Sequence, residues 1–173
     1  MERIQNKGDY MSDEMKVYLA GFIQGACIDK CTAWRKQIRE FYSNWKDTGK
    51  PYPICFLDPL NGEKFNEISS DGLKGCFPPK AIVHKDYTCV DKADLIVCNT
   101  DTFGENRPLL GTIYELAWAW MLRKPVIMIT DNVVFENHPF VIDTVSWYVK
   151  SVEELLQKKI LNEFYKAWHS AQY

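Results

Sequence analysis

Two short apolar runs, Asp94-Leu95-Ile96-Val97-Cys98 and Pro125-Val126-Ile127-Met128-Ile129-Thr130, bracket a longer segment of different character. Both runs read as strands, and the stretch from Pro108 to Trp120 between them reads as a loop that turns into a helix. A strand, a helical connection and a second strand form a βαβ unit, which needs parallel strands and a covered sheet face. The rest of the chain repeats this alternation. Met15 to Gly21 reads as a strand closed by a glycine turn, and Asp29 is a candidate N-cap for a helix to about Trp45. In that helix Ala33, Trp34, Ile38, Phe41 and Trp45 fall at helical spacing. Ile54 to Leu57 gives a second strand, residues 60–80 a long loop rich in glycine and proline, and Ala81 to about Lys92 a short helix. The helix from about Leu109 to Leu122 is stopped by Arg123-Lys124-Pro125. After the strand from Val126 to Ile129 come a loop over 131–142 and a strand from Thr144 to Val149. A final helix runs to about Trp168 from the S-x-x-E box Ser151-Val152-Glu153-Glu154. Such alternation predicts a mainly parallel sheet covered on both faces, with ligands bound at the carboxyl ends of its strands.

Composition narrows the function classes. A chain of 173 residues suits one domain, read as residues 16–173 after a loose polar arm over 1–15. With 21 basic against 23 acidic residues there is no basic field to hold a nucleic acid polymer. No apolar run approaches the roughly 18 residues of a membrane span, and the polar N-terminus does not resemble a signal peptide, so a cytoplasmic protein is expected. The six cysteines then read as free thiols, and the three histidines have no zinc-site spacing to a cysteine pair, so no metal is expected.

The chain has no G-x-G-x-x-G after the first strand, no phosphate-binding G-x-x-x-x-G-K-[ST] and no G-x-S-x-G. What remains is Tyr18, Asp86 and Glu115. Tyr18 lies near the end of the first strand, where a phenol could hydrogen-bond a carboxylate across the crevice. Near a helix N-terminus, Glu115 would gain from the macrodipole in its ionised form, and an ionised carboxylate can attack an anomeric carbon. Two readings of Glu115 stay open. Thr112-Ile113-Tyr114-Glu115 fits a capping box, which starts the helix at Thr112 and turns Glu115 back to the Thr112 backbone. A start at Pro108 would free the carboxylate for the crevice. Asp86 can equally be a solvated helix charge, Tyr18 a core residue and His138 a turn residue.

The ordered set Lys16-Val17-Tyr18-Leu19-Ala20-Gly21, Ala33-Trp34-Arg35, Leu57-Asp58-Pro59-Leu60, Asp86, Ala93 to Asn99, Gly111-Thr112-Ile113-Tyr114-Glu115 and Lys124-Pro125-Val126-Ile127 resembles the nucleoside 2-deoxyribosyltransferase family over roughly residues 16–155. The resemblance implies a flavodoxin-like three-layer αβα sandwich on a five-stranded parallel sheet. It implies transfer of 2-deoxyribose between nucleobases through a covalent glutamyl intermediate, with no cofactor. Glu115 then matches the nucleophile, Tyr18 the tyrosine that orients it and Asp86 the aspartate that binds and protonates the base. Substrate-binding positions implied with them are Phe22, Gly21, Asn99, Gly111, Thr112, Asn137 and His138. Partners implied are deoxynucleosides, free nucleobases and further copies of the chain, as a homodimer or larger homo-oligomer.

Two positions depart from the family. Leu109 stands where many members have an aspartate, and Pro139-Phe140-Val141 replaces a Pro-x-Asn whose asparagine reaches the sugar 5′-hydroxyl from a neighbouring subunit, leaving that role to Asn137 or His138. Related enzymes hydrolyse deoxynucleoside 5′-monophosphates, a chemistry for which Asn106 and Arg107 could hold the phosphate. A non-catalytic nucleotide sensor is the third function class compatible with these residues.

Overall fold

A computed structural model describes residues 14–23, 27–44, 46–47, 50–51, 53–60, 68–69, 72–73 and 78–172. Five strands form one sheet: β1 (Met15–Gly21), β2 (Ile54–Leu57), β3 (Leu95–Asn99), β4 (Val126–Ile129) and β5 (Trp147–Val149). Their order is β2-β1-β3-β4-β5 and every pairing is parallel. The longer helices are α1 (Ile28–Asn44), α2 (Pro79–Lys92) and α3 (Leu110–Met121). Four shorter ones follow: α4 (Val133–Glu136), α5 (Pro139–Ile142), α6 (Val152–Gln157) and α7 (Ile160–Ser170). The expected three-layer α/β architecture is the one observed.

The sheet explains the apolar runs. β3 and β4 are buried along their whole length, as central strands covered on both faces must be. Alternate residues feed two cores. Val17, Leu19, Leu95, Val97, Ile127 and Ile129 meet Trp34 and Ile38 of α1 and Leu155 of α6. Tyr18, Ala20, Ile96, Cys98 and Met128 face the other way, against Val90 of α2 and Leu116 and Ala119 of α3. Asp94 locks β1 to β3, because its Oδ2 accepts from the Lys16 N–H at 2.8 Å and its own N–H donates to the Lys16 carbonyl at 2.8 Å.

Several boundaries differ from the sequence expectation. Asp29 is not the N-cap of α1 but lies inside its first turn, where its charge still suits the helix dipole. α2 begins at Pro79, a residue whose missing N–H costs nothing in a first turn. The expected loop over 131–142 contains two single-turn helices, α4 and α5, and β5 keeps only the last three residues of its expected span. The final helix is two: Lys159 takes a left-handed φ of 50° between α6 and α7. Ser151 does cap α6, accepting from the Glu154 N–H at 3.2 Å, while the Glu154 carboxylate reaches back to the Lys150 N–H at 2.6 Å. In the expected loop over 60–80, Ile68–Ser69 pairs antiparallel with Gly72–Leu73, and 61–67 lie outside the described residues. The expected arm also lies outside them, apart from Glu14 and Met15, and Met15 opens β1. Among the described residues, no helix is long and apolar enough to cross a membrane.

The tips of β1, β3 and β4 lie level, with Gly21 paired to Asn99 and Asn99 to Ile129. A Cβ on Gly21 would stand 3.0 Å from the Asn99 carbonyl oxygen and 3.0 Å from Trp34 Cζ2. Gly21 is therefore a packing requirement of the sheet tip. Gly21→Ala is expected to destabilise the protein by about 1–3 kcal/mol in urea unfolding, the usual penalty for overpacking.

Candidate active site

α3 buries Thr112, Glu115, Leu116 and Ala119, a stripe at positions i, i+3, i+4 and i+7. Three of the four are small or apolar, and Glu115 is the charged exception. The stripe packs on the sheet face that carries Tyr18, and the phenol hydroxyl donates to Glu115 Oε1 at 2.6 Å. Tyr18 is fully buried and Glu115 is 6% exposed. Among the described residues, no donor reaches the second oxygen, Glu115 Oε2.

The capping box does not form. α3 starts at Leu110 with Leu109 as N-cap, and no side chain caps it. Glu115 consequently sits in the second turn, past the free N–H groups where the helix dipole acts. The expectation that the dipole holds it ionised is corrected: Glu115 is pushed up to about 8. Burial is the main cause, the Tyr18 hydrogen bond opposes it, the charge of Asp86 adds to it, and Arg35 opposes it. The Tyr18 hydroxyl is raised well above its ordinary value, first by burial and then by Glu115. Tyr18 thus remains a donor whatever the charge on its partner. Asp86 is half-buried on α2, close enough for its charge to bear on both Tyr18 and Glu115. The three residues singled out from the sequence are brought together.

The other expected positions fare differently. Phe22 is buried in a cluster with Cys31, Leu60 and Leu109. Leu109 is therefore a packing residue at the entrance to α3, and an aspartate in its place would sit in an apolar cluster. Asn99 is buried at the tip of β3, and its Oδ1 accepts from the Asp101 N–H at 3.0 Å. Thr112 is buried on the inner stripe of α3, whereas Gly111 is exposed with open space where a side chain would project. Asn137 and His138 are exposed, with local contacts: Asn137 Nδ2 donates to the Val133 carbonyl at 2.8 Å, and the His138 ring stacks on Phe140 at 5.9 Å. Among the described residues, no hydrogen bond or ring contact joins these two to Glu115. Asn106 and Arg107 are exposed in the loop before α3.

Sequence reasoning missed Arg35 and Asp58 as a unit. Arg35 is fully buried, on a stripe of α1 with Cys31, Trp34, Ile38 and Tyr42. Its Nε lies 3.6 Å from Asp58 Oδ1 at the end of β2. The available signal was the same as for Glu115: a charged residue at a position whose helical neighbours are apolar. The structure also holds a cleft of about 580 Å³ at the tips of β3, β4 and β5, lined by Trp34, Gln37, Asn99, Thr130, Lys150 and Glu153 among others. It opens on the α1 face and includes none of Tyr18, Asp86 and Glu115. Perturbed carboxyl groups cluster at functional sites, which makes Glu115 rather than this cleft the candidate centre. Among the described residues, no cluster of histidine, cysteine and carboxylate side chains could hold a metal ion.

No protein-family model matches the sequence, and no curated protein matches it. Solved structures do. The CMP N-glycosidase BcmB of Clostridium botulinum is 15% identical, with a TM-score of 0.52 over 85% of this chain and 98% of that one. This is the nucleoside 2-deoxyribosyltransferase-like fold. A 2-deoxyribosyltransferase from Leishmania mexicana is also similar, at 20% identity and a TM-score of 0.48, over 68% of this chain. The match spans 65% of that enzyme's length. The strand order β2-β1-β3-β4-β5 is itself that of a flavodoxin-like sheet, the architecture that the motif resemblance implies.

A buried carboxyl with a raised pKa makes stability depend on pH. Between its ordinary value of 4.5 and its folded value of about 8, the folded chain holds a proton that the unfolded chain has lost. Its contribution is full below 4.5 and falls as pH rises through 8, by at most about 1.4 kcal/mol per pH unit. Glu115→Gln, which keeps an acceptor for Tyr18, is expected to gain stability relative to the native chain across this window. Urea unfolding of both proteins from pH 5 to 9 measures the difference.

Proposed function

We propose that the protein transfers 2-deoxyribose between nucleobases through a covalent ester on Glu115. The observation that supports this most is the Tyr18–Glu115 hydrogen bond, which occupies one carboxyl oxygen and leaves Oε2 with no donor among the described residues. In this reading Oε2 attacks C1′ of a deoxynucleoside. The N-glycosidic bond breaks, its electron pair goes to the base nitrogen, and Asp86 delivers a proton to the base. The charge of Asp86 helps to raise the Glu115 pKa, so Glu115 gives up its proton before it attacks. In this cycle Asp86 is the acid and the ionised Glu115 the nucleophile. Positive charge developing on the sugar stabilises the ionised Glu115. The incoming base reverses these steps and regenerates the nucleoside.

Water in place of the incoming base would give hydrolysis. Burial of Glu115 supports transfer, because an ester at this position is shielded from solvent. The reading includes self-association of the chain, supported by the exposed Leu110, Tyr114, Trp120 and Met121 of α3.

A panel of donor deoxynucleosides and acceptor bases, with and without a 5′-phosphate and read by chromatography, tests the proposal. Base exchange that requires an acceptor is expected, and Glu115→Gln should lower it by at least about a thousandfold. Release of free base without an acceptor would mark a glycosidase, and binding with no turnover a sensor. Tyr18→Phe should slow exchange about 10–100-fold and move the acid limb of the rate profile to higher pH, because the lost hydrogen bond is what lowers the Glu115 pKa.

A further inference from the structure

Arg35 has no role in the chemistry above, yet it is among the largest fully buried side chains of the protein. Its guanidinium makes a clamp. Nε donates to the Leu19 carbonyl at 3.3 Å, Nη2 to the Gly21 carbonyl at 3.1 Å and Nη1 to the Cys31 carbonyl of its own helix. The guanidinium also packs over the Trp34 ring, 4.4 Å from its centroid. Asp58 anchors the clamp: its carboxylate meets Arg35 and Arg39 of α1 and accepts from the Leu60 N–H at 2.9 Å. The same turn is tied to α2, because Lys85 Nζ donates to the Pro59 carbonyl at 2.7 Å. Lys85 precedes Asp86. One buried cation thus fixes the last residues of the strand carrying Tyr18, and the turn it anchors is bonded to the helix carrying Asp86.

We propose that Arg35 is a positioning residue for the Glu115 carboxylate, bracing the exit of β1 and supplying the buried positive charge that opposes the two acids. The proposal rests on Glu115 being the nucleophile. The Arg35 charge is paired with Asp58 and also bears on Glu115 and Tyr18, so the clamp joins the brace on β1 to the electrostatics of the carboxyl. Among the described residues, the titratable and charged groups coupled to Glu115 are Tyr18 of β1, Asp86 and Cys89 of α2, Cys98 of β3 and Arg35 of α1. Among them Arg35 is the cation. Burial raises the Glu115 pKa most, and the Arg35 charge acts against it.

The test is the titration of Glu115 by carbon-13 NMR of glutamate-labelled protein, its signal assigned by its loss in Glu115→Gln. The native midpoint is expected near 8. Arg35→Met should move it to higher pH, and Arg35→Lys should hold it near the native value. Should Arg35→Met not fold, Arg35→Gln takes its place as the neutral variant that still offers a donor. A folded neutral variant with the native midpoint overturns the proposal, even if its melting temperature is lower. In base exchange, Arg35→Lys should reduce kcat about tenfold at nearly constant KM, since one ammonium cannot hold both β1 carbonyls. A native kcat in that variant overturns the bracing role. If the native protein shows neither base exchange nor base release, the reading of Glu115 as nucleophile falls, and the titration still decides whether Arg35 sets the state of its carboxyl.

Discussion

A carboxyl group on the inner stripe of α3 is taken out of water, and folding has to supply what water no longer does. Here the supply is one hydrogen bond from Tyr18 and the more distant charge of Arg35, set against the repulsion of Asp86. Other features of this region follow from that arrangement. Tyr18 must sit on the α3 side of β1, which fixes the alternation of the strand and leaves Val17 and Leu19 to the α1 core. The helix must start before Thr112, so that Glu115 turns inward and is not used as a cap. The tip of β1 must be held still, and Gly21 packs there without a side chain between Asn99 and Trp34.

In the proposed cycle this arrangement serves bond exchange at an anomeric carbon. A fully ionised, well-solvated carboxylate would be stable and unreactive. A carboxyl with a pKa of about 8 is mostly protonated at neutral pH, and its anion is poorly solvated and ready to share charge with a cationic sugar. The Tyr18 hydroxyl can donate to the acid, the anion and the ester without losing its proton. One phenol therefore serves each state through which Glu115 passes in the proposed cycle.

Much of this was legible in the residues. The apolar runs at 94–98 and 125–130 and the Ser151 box placed the sheet and the cap of α6, because burial on both faces and a capping hydroxyl each leave a local pattern. Ordered motifs brought Tyr18, Asp86 and Glu115 together as candidates; Tyr18 hydrogen-bonds Glu115, and the charge of Asp86 bears on both. Local pattern could not decide the start of α3: Thr112-x-x-Glu115 satisfies a capping box on paper, and only packing against β1 turns the glutamate inward. The sign of the Glu115 shift was likewise hidden, because a helix N-terminus and a buried core pull in opposite directions and burial is a tertiary quantity. Leu109 read as a missing carboxylate in a pocket, whereas its neighbours Phe22, Cys31 and Leu60 make it part of an apolar cluster. Arg35 and Asp58 escaped notice because 23 residues separate an interaction that only the β1–β2 pairing brings together.

The central claim is that Glu115 becomes covalently bonded to the sugar. A deoxynucleoside analogue carrying fluorine at C2′ slows both formation and breakdown of a glycosyl ester by destabilising the positive charge at C1′, which lets the adduct accumulate. Peptide mass spectrometry after incubation with such an analogue at pH 8 should find the fluorinated sugar on the segment containing Glu115, and none in Glu115→Gln. Adduct on another residue, or none while base exchange proceeds, would contradict the account.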